Sequence, residues 1–181
     1  MRSTLTAVAM ALGIVAGAAL PAAADPTDDS ITTFAITAGS LNVTVPASKD
    51  LGSGTTGANT ISAQLGTITI ADTRGALLGT WTTTVSSSDF VTGGGTAAET
   101  ISAAAVTYWS GPATASSGVA TRTPGQANAA AAQTLDTPRT AFSATLITGN
   151  NSTSWNPTVT VNVPSAVVAG SYTGTITHSV A

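Results

Sequence analysis

From residue 41 onward, aliphatic and hydroxylated residues alternate with a period of two. Leu41, Val43 and Val45 are interleaved with Asn42 and Thr44; Ile68 and Ile70 with Thr67, Thr69 and Ala71; Trp81, Thr83 and Val85 with Thr82 and Thr84. The pattern returns at Val159, Val161 and Val163, and again at Tyr172, Gly174 and Ile176, with threonine or asparagine between them. A period of two sends neighbouring side chains to opposite faces of a strand, so each run reads as a half-buried strand. The β-branched residues that fill these runs fit a pleated surface and disfavour helix. Further strands are predicted at residues 31–37, 101–108 and 141–148.

Turn chemistry separates the runs. Residues 49–59 hold three glycines and read as a loop, Thr73-Arg74-Gly75 closes a strand, and Gly93-Gly94-Gly95 forms a tip. Gly149-Asn150-Asn151-Ser152 and Ala169-Gly170 read as turns. Eight short strands with loops between them predict an all-β chain, an antiparallel two-sheet β-sandwich of Ig-like or jelly-roll-like form. One short helix is predicted at residues 126–133, behind Pro124-Gly125. No repeat period points to a solenoid.

The N-terminal segment follows a different logic. Arg2 supplies a positive start, residues 5–20 are uncharged and largely apolar, Pro21 breaks the run, and Ala22-Ala23-Ala24 offers a small-residue cleavage site before Asp25. This is the pattern of a secretory signal peptide, so residues 1–24 are expected to be removed and residues 25–181 to form one domain. The apolar run falls short of the roughly 20 residues a membrane span needs, and its downstream flank is acidic. A secreted location, with no membrane span after cleavage, is the expectation.

Composition narrows the function classes. Only 7% of the 181 residues are charged, against about 25% in a typical soluble chain. The four basic residues beyond Arg2 are too few to neutralise a nucleic-acid backbone, so no nucleic-acid partner is expected. Without cysteine there is no disulfide, thiolate metal site or thiol nucleophile, and the single histidine, His178, cannot build a multi-histidine metal centre. Threonine and serine stand outward where lysine and glutamate would be usual. Recognition by such a surface depends on shape and aromatic contacts more than on charge.

Residues 67–90, TITIADTRGALLGTWTTTVSSSDF, run from a strand through Asp72-Thr73-Arg74-Gly75 to a second strand bearing Trp81. This resembles the WxL-type surface domains of Gram-positive bacteria, in which a Trp on a strand follows such an Asp turn. The tail, from Trp155-Asn156-Pro157 to the end, is similar to the family's closing pair of strands, and the chain looks most like secreted actinobacterial proteins of this type. The family motif is Trp-x-Leu twice. Here its positions hold Trp81 and Thr83, then His178 and Val180. The resemblance implies non-covalent binding to the cell wall, through peptidoglycan or another wall polymer, with both motif copies altered.

Catalytic signals are sparse. No Gly-x-Ser-x-Gly elbow occurs, and His178 lies in phase with Tyr172 and Ile176, where a strand histidine filling the motif's Trp position is the ordinary reading. Asp72, Asp89, Glu99 and Asp136 could in principle form a glycosidase pair. Asp72 and Asp89 carry turn signatures instead, with Asp72 placed to pair with Arg74. Aspartates near residue 25 and Asn150-Asn151 could contribute to a calcium site but match no known loop spacing, so no metal and no cofactor is expected. Trp81, Phe90, Phe142 and Trp155 read as core. Tyr108 and Trp109 are adjacent in a strand and point to opposite faces, so one of them should face outward as part of a contact surface. The reading is a non-enzymatic surface protein that binds wall polymer or other surface proteins. A subunit of a surface assembly is the alternative, and a hydrolase is the third.

Overall fold

Most of the period-two runs become strands in the computed structural model, which describes residues 30–57 and 60–181. The expected leader at residues 1–24 lies outside the described residues. Residues 36–181 make up one unit, built of antiparallel strands. In chain order these are β1 (Leu41–Thr44), β2 (Thr60–Gln64), β3 (Ile68–Asp72), β4 (Leu77–Ser87), β5 (Phe90–Val91) and β6 (Thr100–Ile101). Then follow β7 (Val106–Trp109), β8 (Ala113–Pro124), β9 (Gln133–Thr134), β10 (Arg139–Trp155), β11 (Thr158–Asn162) and β12 (Ile176–Val180). The larger sheet runs β1-β3-β10-β4-β12, with β8 also paired to β10. The second sheet runs β2-β11-β7-β9, and β5 and β6 form a short pair. β1 and β12, at the two edges of the larger sheet, touch one another, so that sheet curls nearly closed.

β10 organises the larger sheet. Its first half lies beside β4 and its last residues beside β3, both along one edge, while β8 follows the other edge. β3 and β4 therefore run in the same direction along one neighbour. Asp72 sits opposite Asn151 and Leu77 opposite Thr148, so residues 73–76 are an insertion of two extra residues against β10. Thr73-Arg74-Gly75 is thus a bulge that lets the chain continue in its original direction. Gly149 makes the matching jog in β10: its φ of 71° needs no Cβ, and its N–H donates to Ala76 O at 2.8 Å.

The inward positions of both main sheets merge into one core. Ile68 and Ile70 from β3, Trp81 and Val85 from β4, and Phe142 and Trp155 from β10 are buried together with Val106 and Tyr108 from β7 and Val159 from β11. Phe142 and Trp155 stack at 5.0 Å between ring centroids. Burying side chains of this size contributes about 1.5–3 kcal/mol each.

Several expectations are corrected. Residues 31–37 form no strand; Ile31, Phe34 and Ile36 do not keep a strict period of two. The predicted helix at 126–133 is a single 3-10 turn, Ala129–Ala131, and β9 follows it. So short a run cannot offset the cost of nucleating a helix, and Asn128 caps it by accepting from the Ala130 N–H at 3.0 Å. The strand predicted over 101–108 is broken by a 3-10 turn at Ala103–Ala105. Its first N–H, from Ala103, donates to Asp89 Oδ1 at 2.8 Å. The turn predicted at Gly149–Ser152 lies inside β10, because the residues on both sides pair with β3, β4 and β8. The last strand begins at Ile176 and not at Tyr172, although Thr173 bridges to Val91. Gly174 packs over Phe90, where a Cβ would come within 2.8 Å of the ring. β8 carries small and hydroxylated residues without alternation, and its side chains are mostly exposed, so periodicity gave no sign of it.

Candidate functional site

The residues singled out in the sequence assemble into two buried polar groups. The first sits under the bulge. Arg74 donates to both oxygens of Asp72, from Nε at 2.9 Å and from Nη2 at 3.0 Å, and its backbone N–H donates to Oδ1 at 3.1 Å. Asn151 Nδ2 donates to Asp72 Oδ2 at 3.1 Å, and Trp81 Nε1 donates to Asn151 Oδ1 at 3.2 Å. Arg74 Nη2 also donates to Thr80 O at 2.9 Å. Asp72 is fully buried, and the Arg74 hydrogen bonds hold its carboxyl below the usual carboxylate range. Asp72 and Arg74 pair as the sequence suggested. Asn151, read there as a turn residue, links them to Trp81.

The second group crosses between the sheets. Trp155 Nε1 donates to Tyr108 Oη at 3.0 Å, and Tyr108 Oη lies 3.3 Å from His178 Nε2. Burial pushes the Tyr108 hydroxyl up from its ordinary range and lowers His178 to about 4, so both are neutral near pH 7. His178 Nδ1 meets no partner among the described residues.

The two altered motif copies lie on neighbouring strands. Thr83 of β4 pairs with Val180 of β12, and Val85 pairs with His178. Trp81, Thr83 and His178 are all buried, so these positions contribute to the core between β4 and β12. The Tyr108-Trp109 pair is split as the strand geometry requires. Tyr108 is fully buried and offers no face to solvent, whereas Trp109 is half-buried beside the Ser110-Gly111-Pro112 turn.

The carboxylates are spread over separate structural tasks. Asp89 holds the 3-10 turn at Ala103. Glu99 accepts from the Thr96 N–H at 3.0 Å and from its hydroxyl at 2.8 Å, which lowers its pKa. Asp136 accepts from Thr134 Oγ1 at 2.8 Å and from Arg139 at 3.1 Å. Among the described residues no three His, Cys, Asp or Glu side chains gather where a metal could bind. No helix among them is long and apolar enough to cross a membrane.

A cleft is the feature that periodicity did not reveal. It opens beneath residues 45–56 and is faced by residues 167–176. The larger compartment, about 970 Å³, has an apolar floor that includes Ile61, Ile101, Val161 and Val163, and a rim with Ser53, Thr55, Thr56 and Ser171. The smaller, about 380 Å³, is walled by Val45, Leu65, Ile176 and His178 among others. Ser48, Lys49, Leu51, Phe90 and Tyr172 border both, so the two are adjacent. Tyr172 Oη donates to Val168 O at 2.8 Å and fixes the facing loop. The glycine-rich run at 49–59 marked a loop in the sequence, but nothing local says that residues 49–56 line a partly apolar hollow. Comparison with family models, with curated proteins and with solved structures finds no match to this chain.

Proposed function

We propose that this chain is a secreted, non-enzymatic protein of a bacterial surface, associating non-covalently with peptidoglycan or another wall polymer through the cleft rim and Trp109. The observation that carries the reading is the cleft: an apolar floor under a hydroxylated rim, with Lys49 and Asp50 as its charged lining residues. Such a hollow with a few polar groups is the usual form of a recognition site. The carboxylates support the non-enzymatic part, because Asp72, Asp89, Glu99 and Asp136 each hold a turn, bulge or surface pair. The leader-like first 24 residues support secretion, and the resemblance to WxL-type domains supports wall association. For the fold we propose a two-sheet sandwich, supported by the single core that both main sheets fill.

The test is retention of the purified chain on isolated cell walls in high salt. Retention above an unrelated secreted control, weakened by Trp109→Ala or Thr55→Lys, is expected. Retention no greater than the control would overturn wall binding.

A second reading, a subunit of a surface assembly, is favoured by one patch. Leu77 and Val119 flank Thr148 on either side of β10, and they are 79% and 65% exposed, with exposed Leu78 and Leu146 nearby in the chain. Exposed apolar side chains beside the edge strand β8 suit a strand-to-strand contact. Sedimentation at rising concentration separates the readings: assembly predicts a growing mass, and a monomer at high concentration removes this alternative.

A further inference from the structure

Residues 31–37 have the composition of a strand and no strand to pair with. Ile31, Thr32, Thr33, Ile36 and Thr37 are β-branched and Phe34 is aromatic, the residue types that favour a pleated sheet. Yet this arm joins no ladder among the described residues, and Ile31, Phe34 and Ile36 are 95%, 85% and 87% exposed.

β8 has the converse lack. It pairs with β10 along one edge and with no other strand among the described residues. Exposed strand edges are ordinarily guarded by lysine, an inward-pointing charge or proline. β8 holds no lysine and no acidic residue, and Pro124 stands only at its end. Its one charged residue, Arg122, is turned aside: Nε donates to Thr153 Oγ1 of β10 at 2.8 Å, and Nη1 and Nη2 donate to the carbonyls of Ala120 and Gly118 in β8 itself. Leu77, Thr148 and Val119 stand directly opposite one another on β4, β10 and β8, so they share a face and form an exposed row that stops at this bare edge. A strand laid along the edge carries the row on. Phe34 and Ile36, two residues apart, share one face of such a strand and supply the apolar side chains that Val119 would meet.

The arm does not reach the β8 edge of its own chain. Gly39 N–H donates to Thr73 O at 3.0 Å and Ser40 N–H to Thr73 Oγ1 at 2.9 Å, which fastens the entry to β1 beside the end of β3. β3 and β10 lie between β1 and β8, so a strand added beyond β8 lies about 19 Å from β1 along the sheet, at about 4.8 Å per strand. Thr37 is two residues from Gly39 and reaches about 7 Å. The edge open to the arm is that of another copy.

We propose, resting on the reading of the chain as a subunit of a surface assembly, that residues 31–37 of one copy add as a strand to the free edge of β8 in a second copy, with Phe34 and Ile36 packing on Val119. Each copy then offers one arm and one edge, so the contact is heterologous and copies join head to tail.

Sedimentation at rising concentration tests this with two variants. The unaltered chain is expected to grow in mass past a dimer. Phe34→Asp/Ile36→Asp, which spoils the arm, and Val119→Asp, which spoils the edge, are each expected to stay monomeric. The substituted positions are exposed, so both variants should keep the urea midpoint of the unaltered chain. Mixed in equal amounts, the two variants are expected to form a one-to-one dimer and nothing larger, because each pair retains one intact arm and one intact edge. Growth undiminished in either variant, or no dimer on mixing, would overturn the arm-to-edge contact and leave the surface-assembly reading standing. A monomeric unaltered chain would overturn both.

Discussion

Both buried polar groups are anchored on an indole, Trp81 in one and Trp155 in the other, yet they differ in how they close. Around Asp72, the hydrogen bonds from Arg74 and Asn151 tie the carboxylate on both oxygens, and Trp81 completes the set through Asn151. Charge meets charge, and the bulge between β3 and β4 is pinned as a result. Around Tyr108 every group is neutral, and the set ends at the buried His178 Nδ1, which has no partner among the described residues. A saturated buried network resists change at every member, whereas one with an unpartnered ring nitrogen carries a standing desolvation cost. The two can be separated by mutation and by pH.

The largest effect is expected at Asp72. Asp72→Ala strips Arg74 and Asn151 of their shared acceptor in a buried site and should cost about 4 kcal/mol, read as a lowered urea midpoint. Asp72→Asn, which keeps one acceptor oxygen, should cost less. If Asp72→Ala were neutral, the bulge would owe nothing to the ion pair.

Acid separates the groups next. His178 has its pKa lowered by burial from 6.5 to about 4. The unfolded chain therefore takes up a proton first, and stability falls as pH drops from about 6.5 to about 4, by about 3 kcal/mol in all. Tyr108, raised by burial, is the titratable group bonded to it; it costs stability only above pH 10, where the unfolded hydroxyl ionises. Asp72, lowered chiefly by its Arg74 hydrogen bond, contributes stability above the ordinary value of 3.8 that is lost as pH falls further, through its folded pKa. Unfolding midpoints measured from pH 8 to 2 should thus decline in two stages. His178→Phe should flatten the first and leave the second.

How much of this was legible beforehand depends on the range of the interaction. Trp81, Val85, Val159 and Val161 declared themselves through alternation, because a strand's buried face repeats every two residues. Asp72 and Arg74 are two residues apart, so their pairing was also local. The role of Asn151 was not, because the contact joins residues 79 positions apart and needs the register of β3 on β10. Gly149 carried a true signal for positive φ, but sequence alone does not say whether such a residue reverses the chain or jogs a continuing strand. The cleft was hidden for the same reason: its floor comes from β2, β6 and β11, and its cover from a loop without periodicity. Tyr108-Trp109 was correctly read as opposite-facing, but which of the two turns inward depends on the second sheet's packing against Trp155.

The finest comparison is Tyr108→Phe, which removes one oxygen and keeps the ring. It leaves Trp155 Nε1–H without its acceptor and His178 Nε2 without its donor, and is expected to cost about 2 kcal/mol. That is less than Asp72→Ala, since no charge is exposed to an apolar interior. The distinguishing result lies in the imidazole. The Tyr108 hydroxyl already accepts from Trp155, so its own proton favours the tautomer in which Nε2 accepts and Nδ1 carries the proton. Without it neither nitrogen is assigned, and the ¹⁵N signals should move toward a mixture of tautomers. Trp155→Phe serves as the control, because it removes the donor to Tyr108 but leaves the hydroxyl free to bond His178, so the Nδ1–H form should persist. Persistence of that form in Tyr108→Phe would mean that something other than the Tyr108 hydroxyl fixes the ring. The contrast between a closed network and an open-ended one would then lose its physical basis.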